Sequence, residues 1–195
     1  YTVDQLGTLA DHVHSLGLRL HLDGARIANA AASLGVALRE ITTDVGVDAV
    51  SFGGTKNGAM GAEAVIVLNP DLADAVPFLR KSAMQLASKM RFVSAQISAL
   101  LTDDLWLRNA SHANAMARRL ETAVRAIPGV EVMRRVDANA VFAILPPDIT
   151  ERLQRDYRFY TWDDHTGEVR WMCSWDTTED DVRGLLAALG GELGL

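Results

Sequence analysis

The chain has 195 residues, 49% hydrophobic and 23% charged, with 15 glycines and 5 prolines, a composition that excludes disordered and low-complexity classes and suffices to bury a core. A net charge of -6, with lysines and arginines scattered along the chain, argues against nucleic acid as a partner. No apolar run reaches the length of a membrane span, no charged start followed by an apolar stretch suggests a secretion signal, and a single cysteine, Cys173, cannot form an internal disulfide, which together favour a cytoplasmic protein.

The chain opens at Tyr1 without a methionine and enters a helical pattern at once, as a cut inside a longer protein would. Val3, Leu6, Leu9, Ala10, Val13 and Leu16 recur at helical spacing, with Thr2 as the cap and Gly17 as the stop. Residues 18–22 alternate like a strand and end at Asp23-Gly24, after which 25–34 reads as a helix closed by Gly35. A strand at 49–52 leads into a glycine-rich loop around Lys56. The continuous apolar run 64–68 suits a strand covered on both faces. Strands alternating with helices imply crossovers and a mostly parallel sheet in residues 1–80. Helical patterns at 81–101 and 104–127 then connect to a second part, 128–195. There, strands at 140–145, 157–161 and 168–173 and helices at 149–156 and 178–189 give a small α+β domain.

Ligands of open α/β sheets collect at the carboxyl ends of parallel strands. Asp23 stands at one such end, and Lys56 follows another in Ser51-Phe52-Gly53-Gly54-Thr55-Lys56-Asn57-Gly58, whose glycines let a flat ligand or a phosphate approach the backbone. A lysine with a lowered pKa can form a Schiff base with an aldehyde, and pyridoxal phosphate is the common partner. That cofactor works as an electron sink only with a carboxylate beside its ring nitrogen, a task open to Asp23. The residues alone also allow blander roles: Asp23 as a helix cap, Lys56 as a solvated loop lysine. A nucleotide loop is disfavoured, because the G-x-x-x-x-G-K-[ST] spacing is not met. His12 and His14 lie two apart on a helix and point to different faces, so a metal site is not expected, and Cys173 reads as inert packing.

His21-Leu22-Asp23-Gly24-Ala25-Arg26-Ile27-Ala28-Asn29-Ala30 resembles the H-x-D-G-A-R-x-x-N-A segment of the L-threonine aldolase family, pyridoxal-phosphate enzymes of aspartate-aminotransferase fold. Residues 51–58, 85–91 and 169–178 resemble the cofactor-lysine, arginine-bearing and carboxylate-binding segments of a bacterial branch of that family. The resemblance implies an α/β fold: the C-terminal part of a large cofactor-binding domain, 1–80, with connecting helices 81–127 and a small domain 128–195. It implies that Lys56 holds the cofactor, Asp23 pairs with its pyridinium, Arg26 sits near the ring and keeps Asp23 ionised, and Arg170 grips the substrate carboxylate in a bidentate fork. Thr55, with the Gly53 and Gly54 amides, would meet the phosphate, and Arg91 would reach it from a neighbouring subunit, which makes a homodimer or homotetramer the expected state.

The implied activity is carbon-carbon cleavage of a β-hydroxy amino acid such as threonine, allo-threonine or phenylserine to glycine and an aldehyde. The family's ring-stacking histidine and main phosphate loop lie upstream of the segment matching Tyr1, so the isolated chain is expected to be inactive. Two alternatives stay open: β-elimination on the same residues, and an inactive oligomerisation module.

Overall fold

The computed structural model describes residues 1–194, which divide into two compact units, the second beginning at Asn109. The first unit begins with helix α1, Val3–Ser15. Thr2 opens it with a capping box in which its hydroxyl accepts the Gln5 amide and the Gln5 side chain accepts the Thr2 amide. Strand β1 spans His21–Gly24, helix α2 Ile27–Leu34, and strand β2 Ala49–Gly53. Gly35 ends α2 in the left-handed conformation at φ 68°, where a side chain would be strained.

β1 pairs in parallel with β2, with Asp23 opposite Ser51. Leu22, Val50 and Phe52 point to one face of the sheet, and Val50 and Phe52 are buried there with Ile27, Ala28 and Ala31 of α2. His21 and Asp23 point to the other face with Ser51, and both are exposed. β1 starts three residues later than the alternating pattern suggests. Its approach is held instead by the Asp48 carboxylate, which accepts the Leu20 amide at 2.7 Å.

Strand β3, Glu63–Val67, pairs antiparallel with β2. This corrects two sequence expectations. The connection 54–62 is too short for a helical crossover and permits only an antiparallel return. The apolar run is also not covered on both faces: Val65 is 71% exposed and Ile66 39%.

Three helices follow: α3, Val76–Ser82; α4, Arg91–Leu101; and α5, Leu105–Val124, which continues into the second unit. The long helix expected over 81–101 is broken, because Met84 and Lys89 take positive φ of 57° and 58°. The stretch read as connecting helices is thus shared between the units.

In the second unit, strands β4, Glu131–Val132, and β5, Ala140–Ile144, are followed by helix α6, Pro147–Leu153. Strands β6, Tyr160–Asp163, and β7, Glu168–Met172, and helix α7, Glu179–Leu193, complete it. The sheet is antiparallel throughout, in the order β4-β5-β7-β6. Its inner face, Val141, Ala143, Val169 and Trp171, packs on Ala117, Leu120 and Val124 of α5 and on Leu153 and Leu189 of α6 and α7. Cys173 lies in this core, where burial pushes its thiol up to about 11, consistent with packing rather than chemistry. No helix among the described residues is long and apolar enough to cross a membrane.

Asp48, 4% exposed, is the polar anchor of the first unit. Its carboxylate accepts from Asn69 at 2.5 Å and from the Leu20 amide at 2.7 Å, and lies 2.8 Å from His14 Nε2. Burial raises its pKa, but the hydrogen bonds from Asn69, Leu20 and His14 outweigh burial and hold it down to about 2. An unfolded aspartate titrates near about 4, so this stabilisation is complete above that pH and is lost as the pH falls toward about 2. Asp48→Ala, which orphans those donors, is expected to cost about 3 kcal/mol. Urea unfolding of wild type should weaken steeply between about pH 4 and pH 2, and Asp48→Ala should show a flatter profile over that window.

Candidate functional site

Of the residues the sequence singles out, Asp23, Arg26, Thr55, Lys56 and Arg91 belong to the first unit and Arg170 to the second. Asp23 ends the exposed face of β1. Its Oδ1 accepts the Ala25 amide at 3.1 Å, a turn that swings the chain from strand toward α2. His21 shares that face, with Nε2 2.9 Å from the Ser51 hydroxyl, so the cluster spans two adjacent parallel strands. Arg26, half-buried, is the residue from which α2 starts.

Lys56 lies in a short 3-10 turn, Thr55–Asn57, directly after β2 and at the same end of the sheet as Asp23. The glycines before it are required by contact. A Cβ on Gly53 would stand 2.2 Å from the Ala25 carbonyl oxygen, and one on Gly54 would stand 2.4 Å from that of Ala62. The lysine loop and the Asp23-to-Ala25 turn therefore touch backbone to backbone, which only glycine at position 53 permits.

Two residues that sequence reasoning missed hold this loop. Glu63, opposite Gly53 in the β2–β3 register, accepts the Gly54 and Thr55 amides, each at 3.2 Å. Asn57, buried, donates to the Trp106 carbonyl at 3.0 Å. The first finding corrects the expectation that the Gly54 amide serves a phosphate: a carboxylate of this chain already occupies it, leaving the exposed Thr55 hydroxyl. Antiparallel pairing of 63–67 would have exposed Glu63 as a candidate, but the apolar run conceals that direction. Arg91 opens α4 as an exposed residue, its guanidinium carbon 4.7 Å from the centroid of the exposed Phe92 ring.

Arg170 lies in the middle of β7, on the sheet face opposite the core, between Phe142 of β5 and Tyr160 of β6. Its Nε is buried without a hydrogen-bond partner. A guanidinium donor shielded from water and unsatisfied suits an external anion. The arrangement offers an amine and a carboxylate at one end of adjacent strands in the first unit, and a guanidinium with an unsatisfied Nε in the second. No group of three or more His, Cys, Asp or Glu side chains suited to a metal occurs among the described residues.

The family model described as beta-eliminating lyase matches residues 1–146. A low specificity L-threonine aldolase from a Pseudomonas species is 47% identical over 188 residues, covering 96% of this chain and 54% of that protein. A protein of the same name from Pseudomonas aeruginosa is 47% identical over 186 residues, 95% of this chain and 54% of its own length. The chain thus spans about half the length of these relatives. The solved structure of threonine aldolase from Leishmania major superposes with a TM-score of 0.86 at 30% identity, over 98% of this chain and 56% of that one.

Proposed function

The chain belongs to the beta-eliminating lyase family, and on that premise we propose that the natural protein carrying it is a pyridoxal-phosphate-dependent aldolase that cleaves β-hydroxy-α-amino acids to glycine and an aldehyde. The observation that carries this reading is the register Asp23 opposite Ser51 on adjacent parallel strands, with Lys56 in the loop that follows. An amine and a carboxylate so placed fit a flat aldehyde bearing a ring nitrogen. The unsatisfied Nε of Arg170 fits the substrate carboxylate.

Bound pyridoxal phosphate would supply the electron sink that accepts the electrons of the breaking Cα–Cβ bond. The residues of this chain do the rest. Lys56 would hold the cofactor through its amine. Asp23 would pair with the ring nitrogen, and Arg26 would sit near the ring. The Thr55 hydroxyl donates to the phosphate. Arg170 fixes the carboxylate, and with it the orientation of the bond to be broken.

We assign Arg91 to a neighbouring subunit's phosphate and the protein to a homo-oligomer in the cytosol. The exposed apolar side chains of Phe78, Leu79, Met84, Leu86 and Phe92, in the segment that leads into α4, support a covered surface there, and the lone, reduced Cys173 is compatible with that compartment. Product analysis tests the reaction in the natural protein. L-threonine or phenylserine should give glycine and the matching aldehyde in equal amounts. A 2-oxo acid and ammonia would instead establish β-elimination, and no turnover of either kind would leave only the binding-module reading.

A further inference from the structure

The outer face of the second unit's sheet carries two arginines in contrasting surroundings. Arg134 is neutralised: its Nη2 lies 2.6 Å from both carboxylate oxygens of the buried Glu168, and its guanidinium covers the Phe142 ring at 4.3 Å. Arg170 has no carboxylate within ion-pair distance among the described residues, and its guanidinium carbon lies 4.4 Å from the centroid of Trp162.

Trp162 stands beside an irregularity of β6, on the face it shares with Tyr160. Tyr160 pairs with Arg170 and Thr161 with Val169, but the next partner, Glu168, is taken by Asp163, so Trp162 is an extra residue in a β-bulge. Its indole covers Arg170 and meets Phe142, on the far side of β7, edge to face at 5.5 Å and 76°.

The five N–H donors of a guanidinium lie in its plane, so an aromatic ring on its face fixes that plane without consuming a donor. We propose that Trp162 is a positioning residue: its indole, lying over Arg170, fixes the plane in which the guanidinium presents its N–H edge to the substrate carboxylate. This rests on the reading of Arg170 as the carboxylate clamp.

The test uses the natural protein loaded with pyridoxal phosphate and measures glycine binding by calorimetry beside KM and kcat. Arg170→Ala should weaken glycine binding by about 100-fold. Trp162→Leu should weaken it and raise KM by about 5- to 10-fold with kcat within about twofold, while Trp162→Phe, which keeps a flat ring, stays close to wild type. In the double variant Trp162→Leu/Arg170→Ala the penalty should equal that of Arg170→Ala alone, because Trp162 acts only through the arginine. Should Trp162→Leu fail to fold, Trp162→Thr, a strand former, takes its place. Wild-type affinity in the leucine variant, equal loss in the phenylalanine variant, or penalties that multiply in the double variant would each overturn the proposal. Undiminished binding by Arg170→Ala overturns instead the carboxylate-clamp reading on which it rests.

Discussion

Lys56→Ala in the natural protein carrying this chain is expected to lower kcat/KM by at least about 10⁴-fold, since a nucleophile that holds the cofactor covalently has no substitute in a site built around it. The fold should tolerate the change. The loop is positioned by backbone and neighbouring side chains, through the Glu63 carboxylate on the Gly54 and Thr55 amides, the Asn57 amide on Trp106, and the close contact of Gly53 with Ala25. The exposed ammonium of Lys56 contributes none of these contacts, so the thermal midpoint should stay within a few degrees of wild type. Chemistry and structure are separable here because different atoms carry them. Borohydride reduction with pyridoxal phosphate bound should mark the peptide containing Lys56. The other lysines of this chain, Lys81 and Lys89, are exposed, and a label on either would sink the assignment.

What could be read from the sequence follows from where the determinants lie. Thr2, Gly17, Gly35, Gly129 and Thr178 mark boundaries by local chemistry, and the elements they bound fall close to expectation. Asp23, Lys56 and Arg170 are singled out by segments whose residue order resembles a known family. Their surroundings are not. Glu63 meets the lysine loop only through cross-strand register, and an apolar run does not reveal which way a strand runs. The broken helix at 81–101 had acceptable helix formers throughout, and nothing in their propensities announces the positive φ at Met84 and Lys89. The strand expected at 157–161 lies at 160–163, while Tyr157 and Phe159 line a cavity with residues of α7.

Asp23→Asn separates the two roles that the sequence leaves open for this aspartate. If Asp23 only shapes the turn into α2, asparagine should replace it silently, since its side-chain oxygen can accept the Ala25 amide as the aspartate does at 3.1 Å, and the two residues are comparably favoured in such turns. If instead the carboxylate holds a proton on a ring nitrogen, the amide fails, being uncharged and unable to stabilise the cation. The expected result is the second: kcat lower by about 10³-fold, with unfolding unchanged and the cofactor lost more readily on dialysis. Asp23→Glu keeps the charge but lengthens the arm, and should recover part of the rate. A silent Asp23→Asn would reduce Asp23 to a turn residue, and with it the pairing of acid and amine across adjacent strands would lose its chemical meaning.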